Sequence, residues 1–362
     1  MTLTHEQFSI LRLIRSQNIG PQTFWKLMKR FHSAASIIEN WTDIQRQMRR
    51  RSELALEKTV VDEVEKTTKF GAHFLFYTDT SYPHSLRNSP DCAPVLSFKG
   101  HLNFLSQKKV GIVGARNASS HGCRLSYLLA KELGSYDWKV VSGLARGIDT
   151  AAHQGSLETG TVAILGNGIQ IVYPEENKKV YEEISDKGLL LSEFSFAAEP
   201  HMGHFPKRNR LIAALVQGII VVEAAYQSGS LLTAQYALEM GKEIFAVPGS
   251  PMDPRCRGSN RLIKQGAVLI ESAQDILEVL DQPQWIHRYQ QKLEKKKNLS
   301  SVHHQSDHSV LNHLSTVPLS VDELAELTRL RMDQLSPLLT ELELKGHIKK
   351  HPGNKVSLIL QG

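Results

Sequence analysis

Four short runs in this 362-residue chain combine cations, hydroxyls and small residues in patterns suited to holding an anion. In Phe205-Pro206-Lys207-Arg208-Asn209-Arg210, three cations fall within four residues beside an aromatic ring. Cations track phosphates and a ring stacks on a base; a solvated basic turn is the plainer alternative. Gly114-Ala115-Arg116-Asn117-Ala118-Ser119 sets a guanidinium, whose planar fork matches phosphate oxygens, among residues small enough for close backbone approach. Ser119 or Ser120 can cap a following helix. Ser142-Gly143-Leu144-Ala145-Arg146-Gly147 forms a second glycine-rich turn. Ser228-Gly229-Ser230 places hydroxyls and free N–H groups at a helix start, a ready anion cradle. The expected binding set is therefore Arg116, Ser119, Gly143, Phe205, Lys207, Arg208, Asn209, Arg210, Ser228, Gly229 and Ser230.

The signals for chemistry are weaker. His153, one turn after Asp149, is a candidate general base, but a hydrogen-bonded structural histidine fits it better, and Asp149 reads as a helix cap. Glu193 is a candidate acid or a partner for basic neighbours. Gly166 and Gly168 begin a dinucleotide fingerprint, but Ile171 stands where its third glycine belongs, so no nucleotide cofactor is expected. The three cysteines are far apart and the sixteen histidines scattered, so neither a metal site nor a disulfide framework is expected.

For these loops to act together, the elements around them must bring them to one edge. Seven short, continuous, β-branched runs begin at Val110, Lys139, Val162, Leu189, Ile219, Ile244 and Val268. Such runs belong to parallel strands buried on both faces. Helical patterns separate them, which implies right-handed βαβ units and a doubly wound, mostly parallel, Rossmann-like α/β sheet. In such a sheet ligands bind beyond the carboxyl ends of the strands, and every loop named above follows one.

Four segments are expected. Residues 1–70 are helical; Asn18-Ile19-Gly20-Pro21 between two apolar helices suits either a helix-hairpin-helix (SAM-like) element or a small packing module. Residues 71–282 carry the sheet, led by an extended bridge over 71–105. Residues 283–306, with Lys295-Lys296-Lys297 and His303-His304, read as a polar linker. Residues 307–362 suit a winged helix, with Ser320 and Glu323 as a capping box. Its third helix, poor in bases, is as suited to protein contact or packing as to duplex reading.

The net charge of +6 fits an anionic partner without requiring one. The first residues lack a secretory pattern, and the apolar stretch Leu211–Ala225 is broken by Gln217, Gly218 and Glu223, so a cytoplasmic protein without membrane contact is expected.

The runs GARNASSHG, SGLARGIDTAAHQGSL, AILGNGIQIVYPEEN, LLSEF, FPKRNRLIAAL, VVEAAYQSGSLLTAQYALEMGKEIFAVPG and GSNRLIKQGA lie between roughly residues 80 and 280. Together they resemble the DNA-processing protein A (DprA/Smf) family. The resemblance implies a protein that binds single-stranded DNA without cofactor, protects incoming strands in natural transformation, helps load the RecA recombinase and dimerises. It matches Arg116 to the family's phosphate-binding arginine, and Lys207, Arg208 and Asn209 to its basic F-P-x-R-N segment; Ala115 replaces a common serine. The competing reading is an enzyme: a nucleotide-hydrolysing member of the lysine-decarboxylase-like group using Glu193 or Glu223. Pro248-Gly249 is followed here by Ser250-Pro251, which lacks that group's second glycine. A non-enzymatic binding protein is the expectation.

Overall fold

The computed structural model describes residues 3–47, 52–89, 91–280, 310–311, 313–328 and 330–359. The linker expected at 283–306 lies outside them. The described residues up to 280 make one compact unit and those from 310 onward a second.

The first unit is organised by a nine-stranded sheet in the order β1-β2-β6-β5-β4-β3-β7-β8-β9. All seven expected runs form strands: β3 (Lys109–Val113), β4 (Lys139–Ser142), β5 (Thr161–Ile164), β6 (Leu189–Ser192), β7 (Gly218–Val221), β8 (Glu243–Ala246) and β9 (Val268–Leu269). These seven pair parallel with one another, and β3 to β7 are buried on both faces, as expected of parallel strands covered by helices. The bridge contributes two further strands. β1 (His73–Phe76) and β2 (Val95–Gly100) pair antiparallel with each other, and β2 adds antiparallel to β6, which leaves β1 at the edge.

Strand residues alternate between two helical layers. Ala163 and Leu190 pack with Val180, Tyr181 and Ile184 of α9 (Lys178–Lys187). Their neighbours Val162, Ile164, Leu189 and Leu191 pack instead with Leu211–Leu215 of α10 (His204–Leu215) and with Ala234 and Ala237 of α11 (Gly229–Glu239). Beside α9 lies α8 (Ile148–Ser156), which packs on α7 (Ser120–Ser135). α12 (Arg257–Lys264) and α13 (Ala273–Leu280) complete the run.

The helices α1 (His5–Ile14), α2 (Pro21–Phe31), α3 (Ala34–Glu39), α4 (Trp41–Gln47) and α5 (Glu57–Lys69) precede the sheet, and the short α6 (His84–Arg87) lies between β1 and β2. Their apolar residues Ile10, Leu11, Leu13, Phe24, Ile37, Trp41 and Val60 share one core with Phe74, Phe76 and Val95 of the sheet. Polar ties fix the docking: the Trp25 indole N–H donates to Cys92 O at 2.7 Å, and Arg15 pairs with Glu63 at 2.9 Å while donating to Phe194 O at 3.3 Å.

In the second unit, β10 (Leu319–Ser320), β12 (Lys355–Leu358) and β11 (Ile348–His351) form a three-stranded antiparallel sheet with α14 (Val321–Thr328) and α15 (Met332–Leu344). This is a winged helix. Its capping box forms: Ser320 Oγ accepts from Glu323 N at 3.1 Å, and Glu323 accepts from Ser320 N at 3.3 Å. Among its bases, Lys345 pairs with Glu341 and Lys350 with Glu343.

Candidate nucleic-acid interface

Strand order reverses between β3 and β7. The chain leaves β3 toward α7 and leaves β7 toward α11, so a crevice opens where the two loops part. It holds a cavity of about 550 Å³ bounded by Gly114–Asn117 on one side and Gln227–Ser230 on the other, with Phe205, Arg208 and Arg255 also lining it. A second cavity of about 230 Å³ continues from Arg116 and Phe205 along Gly143–Arg146 to Gly166, Asn167 and Tyr173. The loops after β3 and β4 touch because Gly147, at φ +74°, brings its backbone against Ala115 O and Arg116 O, where no side chain fits.

The 205–210 run lies inside α10, which starts at His204, and not in a turn ahead of it. Helical phase therefore sends its side chains apart, with residues three apart sharing a side. Phe205 and Arg208 face the crevice: the Arg208 guanidinium lies 6.0 Å from the centre of the Phe205 ring, and that of Arg116 lies 5.2 Å from it. Arg116 is exposed, whereas Arg208 is only 5% exposed. Arg208 donates to Gly143 O and to Ile164 O, the latter at 3.1 Å, anchoring α10 under the ends of β4 and β5. A Cβ on Gly143 would collide with that guanidinium, so the glycine is what lets Arg208 in.

Burial pulls the Arg208 pKa down; the Asp149 carboxylate opposes this and the Arg116 cation adds to it. Asp149 itself is pushed up by burial, against the pull of Arg208 and of the Ala145 and Gly143 amides. It accepts from Gly143 N at 3.1 Å, so it shapes the loop after β4. His153 is fully buried and bonded through Nδ1 to Thr161 Oγ1 at 2.7 Å, the arrangement of a structural histidine. Burial and the Arg208 charge lower its pKa to about 3.

Lys207 and Arg210 share the other side of α10, where they line a cleft against the N-terminal helices. Lys207 is exposed, while Arg210 donates to Asp91 O and pairs with Glu193 at 3.1 Å. Asn209 turns between the two sides and donates to Gly229 O at 3.2 Å, tying α10 to the start of α11.

The loop hydroxyls at the starts of α7 and α11 have different partners. Ser119, expected to meet phosphate, is occupied within the fold. Its hydroxyl donates to Glu223 at 2.5 Å and accepts from Gly122 N at 2.9 Å, and its N–H donates to Glu223 at 2.9 Å. The buried Glu223 carboxylate thus fills the anion position at the start of α7. At α11, Ser228 and Ser230 bond to each other at 2.6 Å, and Gly229 is exposed with open space above its Cα. Ser228 also caps this helix, its hydroxyl accepting from Ser230 N at 3.3 Å, so Gly229 is the residue this helix start leaves exposed.

Some contributors were not on the expected list. Tyr173 is exposed, with its ring 5.9 Å from that of Phe205, which doubles the aromatic platform. Arg146, half-exposed and paired with Glu176 at 3.3 Å, and Arg255, paired with Asp253 at 2.7 Å, add rim cations. Nothing local in the Tyr173-Pro174 dipeptide signals proximity to Phe205, which lies 32 residues further along the chain. Among the described residues no group of three or more potential metal ligands occurs, and no helix is long and apolar enough to cross a membrane.

Residues 73–281 match the model of the family described as DNA recombination-mediator protein A. The chain belongs to that family. Residues 4–65 match the DprA-like N-terminal HHH domain and residues 298–354 the DprA winged helix domain. The chain is 42% identical to the DNA processing protein DprA of Streptococcus pneumoniae over 201 residues, 55% of this chain and 71% of that one. It is 35% identical to the protein Smf of Escherichia coli over 296 residues, 79% of this chain and 78% of that one. The X-ray structure of the S. pneumoniae DprA superposes with a TM-score of 0.65 at 31% identity, covering 77% of this chain and 99% of that one. DNA processing protein A from Helicobacter pylori, whose structure is described for its single-stranded DNA binding mode, superposes with a TM-score of 0.54 at 30% identity, covering 58% of this chain and 95% of that one.

Proposed function

We propose that this chain is a recombination mediator that holds single-stranded DNA along the carboxyl rim of its sheet and does no chemistry on it. The observation that carries the reading is the joining of Phe205, Arg116 and Arg208 at the point where strand order reverses. Phe205, with Tyr173 beside it, stacks bases; Arg116 and Lys207 meet phosphates; the exposed Gly229 amide at the start of α11, with the paired Ser228 and Ser230 hydroxyls beside it, holds another. Arg208 contributes charge from beneath while it holds the loop at Gly143, and Ser119, Asn209 and Arg210 set the walls. A stacking platform flanked by cations favours single strands, whose bases are free to leave a stack. The H. pylori relative, described for binding single-stranded DNA, supports this reading.

The test is a binding titration of the full chain with single- and double-stranded oligonucleotides at several salt concentrations. Tighter binding of the single strand, weakening linearly on a log–log salt plot, is expected; equal affinity for duplex overturns the proposal. The family's recombination-mediator character supports the finer step, in which a cytoplasmic dimer delivers the strand to RecA. That step predicts faster RecA filament assembly on protein-coated single strands when this chain is added, and sedimentation at twice the chain mass.

A further inference from the structure

The cleft on the other side of α10 is unexplained by stacking on Phe205. It encloses about 520 Å³ between the Ile19-Gly20-Pro21-Gln22-Thr23 turn and the end of β6. Glu193 lines it, with its side chain only 7% exposed. One carboxylate oxygen, Oε2, pairs with Arg210 at 3.1 Å, while Oε1 is buried with no hydrogen-bond partner among the described residues. A buried oxygen left in this state costs stability unless something donates to it. Across the cleft α2 begins. Gly20 supplies no capping side chain and Pro21 has no N–H, so the Gln22 and Thr23 amides stand uncapped at the rim. Lys207, exposed and without an ion-pair partner among the described residues, stands at the same cleft.

We infer that this cleft is a second subsite for the bound strand: it takes one nucleotide, with its phosphate on Lys207 and the α2 amides and its base amino group on Glu193 Oε1, which a turn of the carboxylate out of the cleft wall presents to the nucleotide. The inference rests on the single-strand reading and deepens it, because Phe205 and Lys207 lie two residues apart on α10 and present their side chains to the two cavities. A strand crossing the start of α10 passes from one to the other. Burial pushes Glu193 upward, but the charges of Arg210, Lys207 and Arg15 oppose it and Asp91 adds to it. A single accepting oxygen selects a base that offers an amino group there. Cytosine does so through N4, whereas thymine presents O4 at the same edge. The N-terminal helices thereby become part of the strand-binding surface.

The experiment compares oligo(dC) with oligo(dT) on the full chain. Binding of oligo(dC) is expected to be about tenfold tighter. In Glu193→Gln, the amide keeps its oxygen toward Arg210 and turns an N–H donor into the cleft, so the order reverses in favour of oligo(dT). Gln22→Trp, at an exposed rim position, fills the entrance and abolishes the difference between the two. Equal binding of both oligonucleotides by the unaltered chain overturns the subsite while leaving the single-strand reading standing; failure to bind either overturns that reading itself. Persistence of the dC preference in both variants also overturns the subsite. Free dCMP that binds as tightly as the oligonucleotide, without displacing it, shows a mononucleotide site and overturns the path of the strand.

Discussion

Replacing Phe205 with alanine separates stacking from charge. The ring is half-buried, with Arg116 at 5.2 Å, Arg208 at 6.0 Å and the Tyr173 ring at 5.9 Å. Its loss removes one stacking platform, about 1–3 kcal/mol per base, which is a factor of about 5 to 150 in affinity. Tyr173 remains to receive the base in part, so the expected loss lies near the low end, about tenfold. No cation is removed, and each phosphate contact on a single strand contributes about 0.7 to the salt slope. Fluorescence anisotropy of a labelled oligo(dT) across a salt series should therefore give two parallel lines, the Phe205→Ala line displaced downward. Full affinity in the variant, or a loss expressed as a shallower slope, would refute the stacking role; an unchanged thermal midpoint shows that the fold is intact.

Arg116→Ala should do the opposite: the salt slope falls by about 0.7 with equal effect on every base composition, and an unaltered slope would mean the guanidinium meets no phosphate. Gly143→Ala drives a methyl group into the Arg208 guanidinium; a stability loss of about 1–3 kcal/mol together with weaker strand binding is expected, checked by urea unfolding and anisotropy. His153 gives a pH signature. Unfolded, it takes up a proton near about 6.5, but the folded chain resists until about 3. Between those values the unfolded state binds more protons, so stability falls as pH drops through the window, by up to about 1.4 kcal/mol per pH unit from this residue. His153→Gln should flatten the urea midpoint between about pH 6 and pH 4, and identical profiles for both proteins would contradict the assignment.

The parallel strands were legible because a strand buried on both faces has no polar alternation to obscure it, as in Val110–Val113. The doubly wound class and its binding rim follow from those strands. β1 and β2 were legible only as an extended bridge: β1 is a four-residue edge strand, β2 a six-residue strand ending in Lys99-Gly100, and neither carries the continuous β-branched run that marks the parallel strands. The basic run was visible as composition, but its geometry was hidden. Gly203 provides no capping side chain, so nothing marks His204 as a helix start. Without that start, Lys207, Arg208 and Arg210 read as one patch, whereas a helix spreads them over two faces. The fate of Ser119 was beyond local reading for a different reason: its partner Glu223 stands 104 residues away, and only the adjacency of β3 and β7 brings the two together.

The most direct measurement is photocross-linking of an iodouracil-substituted single strand to the full chain, with the attached peptide mapped by mass spectrometry. Attachment at Phe205 or Tyr173, lost in Phe205→Ala when Tyr173 is also replaced, is the predicted result. Attachment confined to the winged helix, or to a face of the sheet away from the β3–β7 crevice, would contradict it.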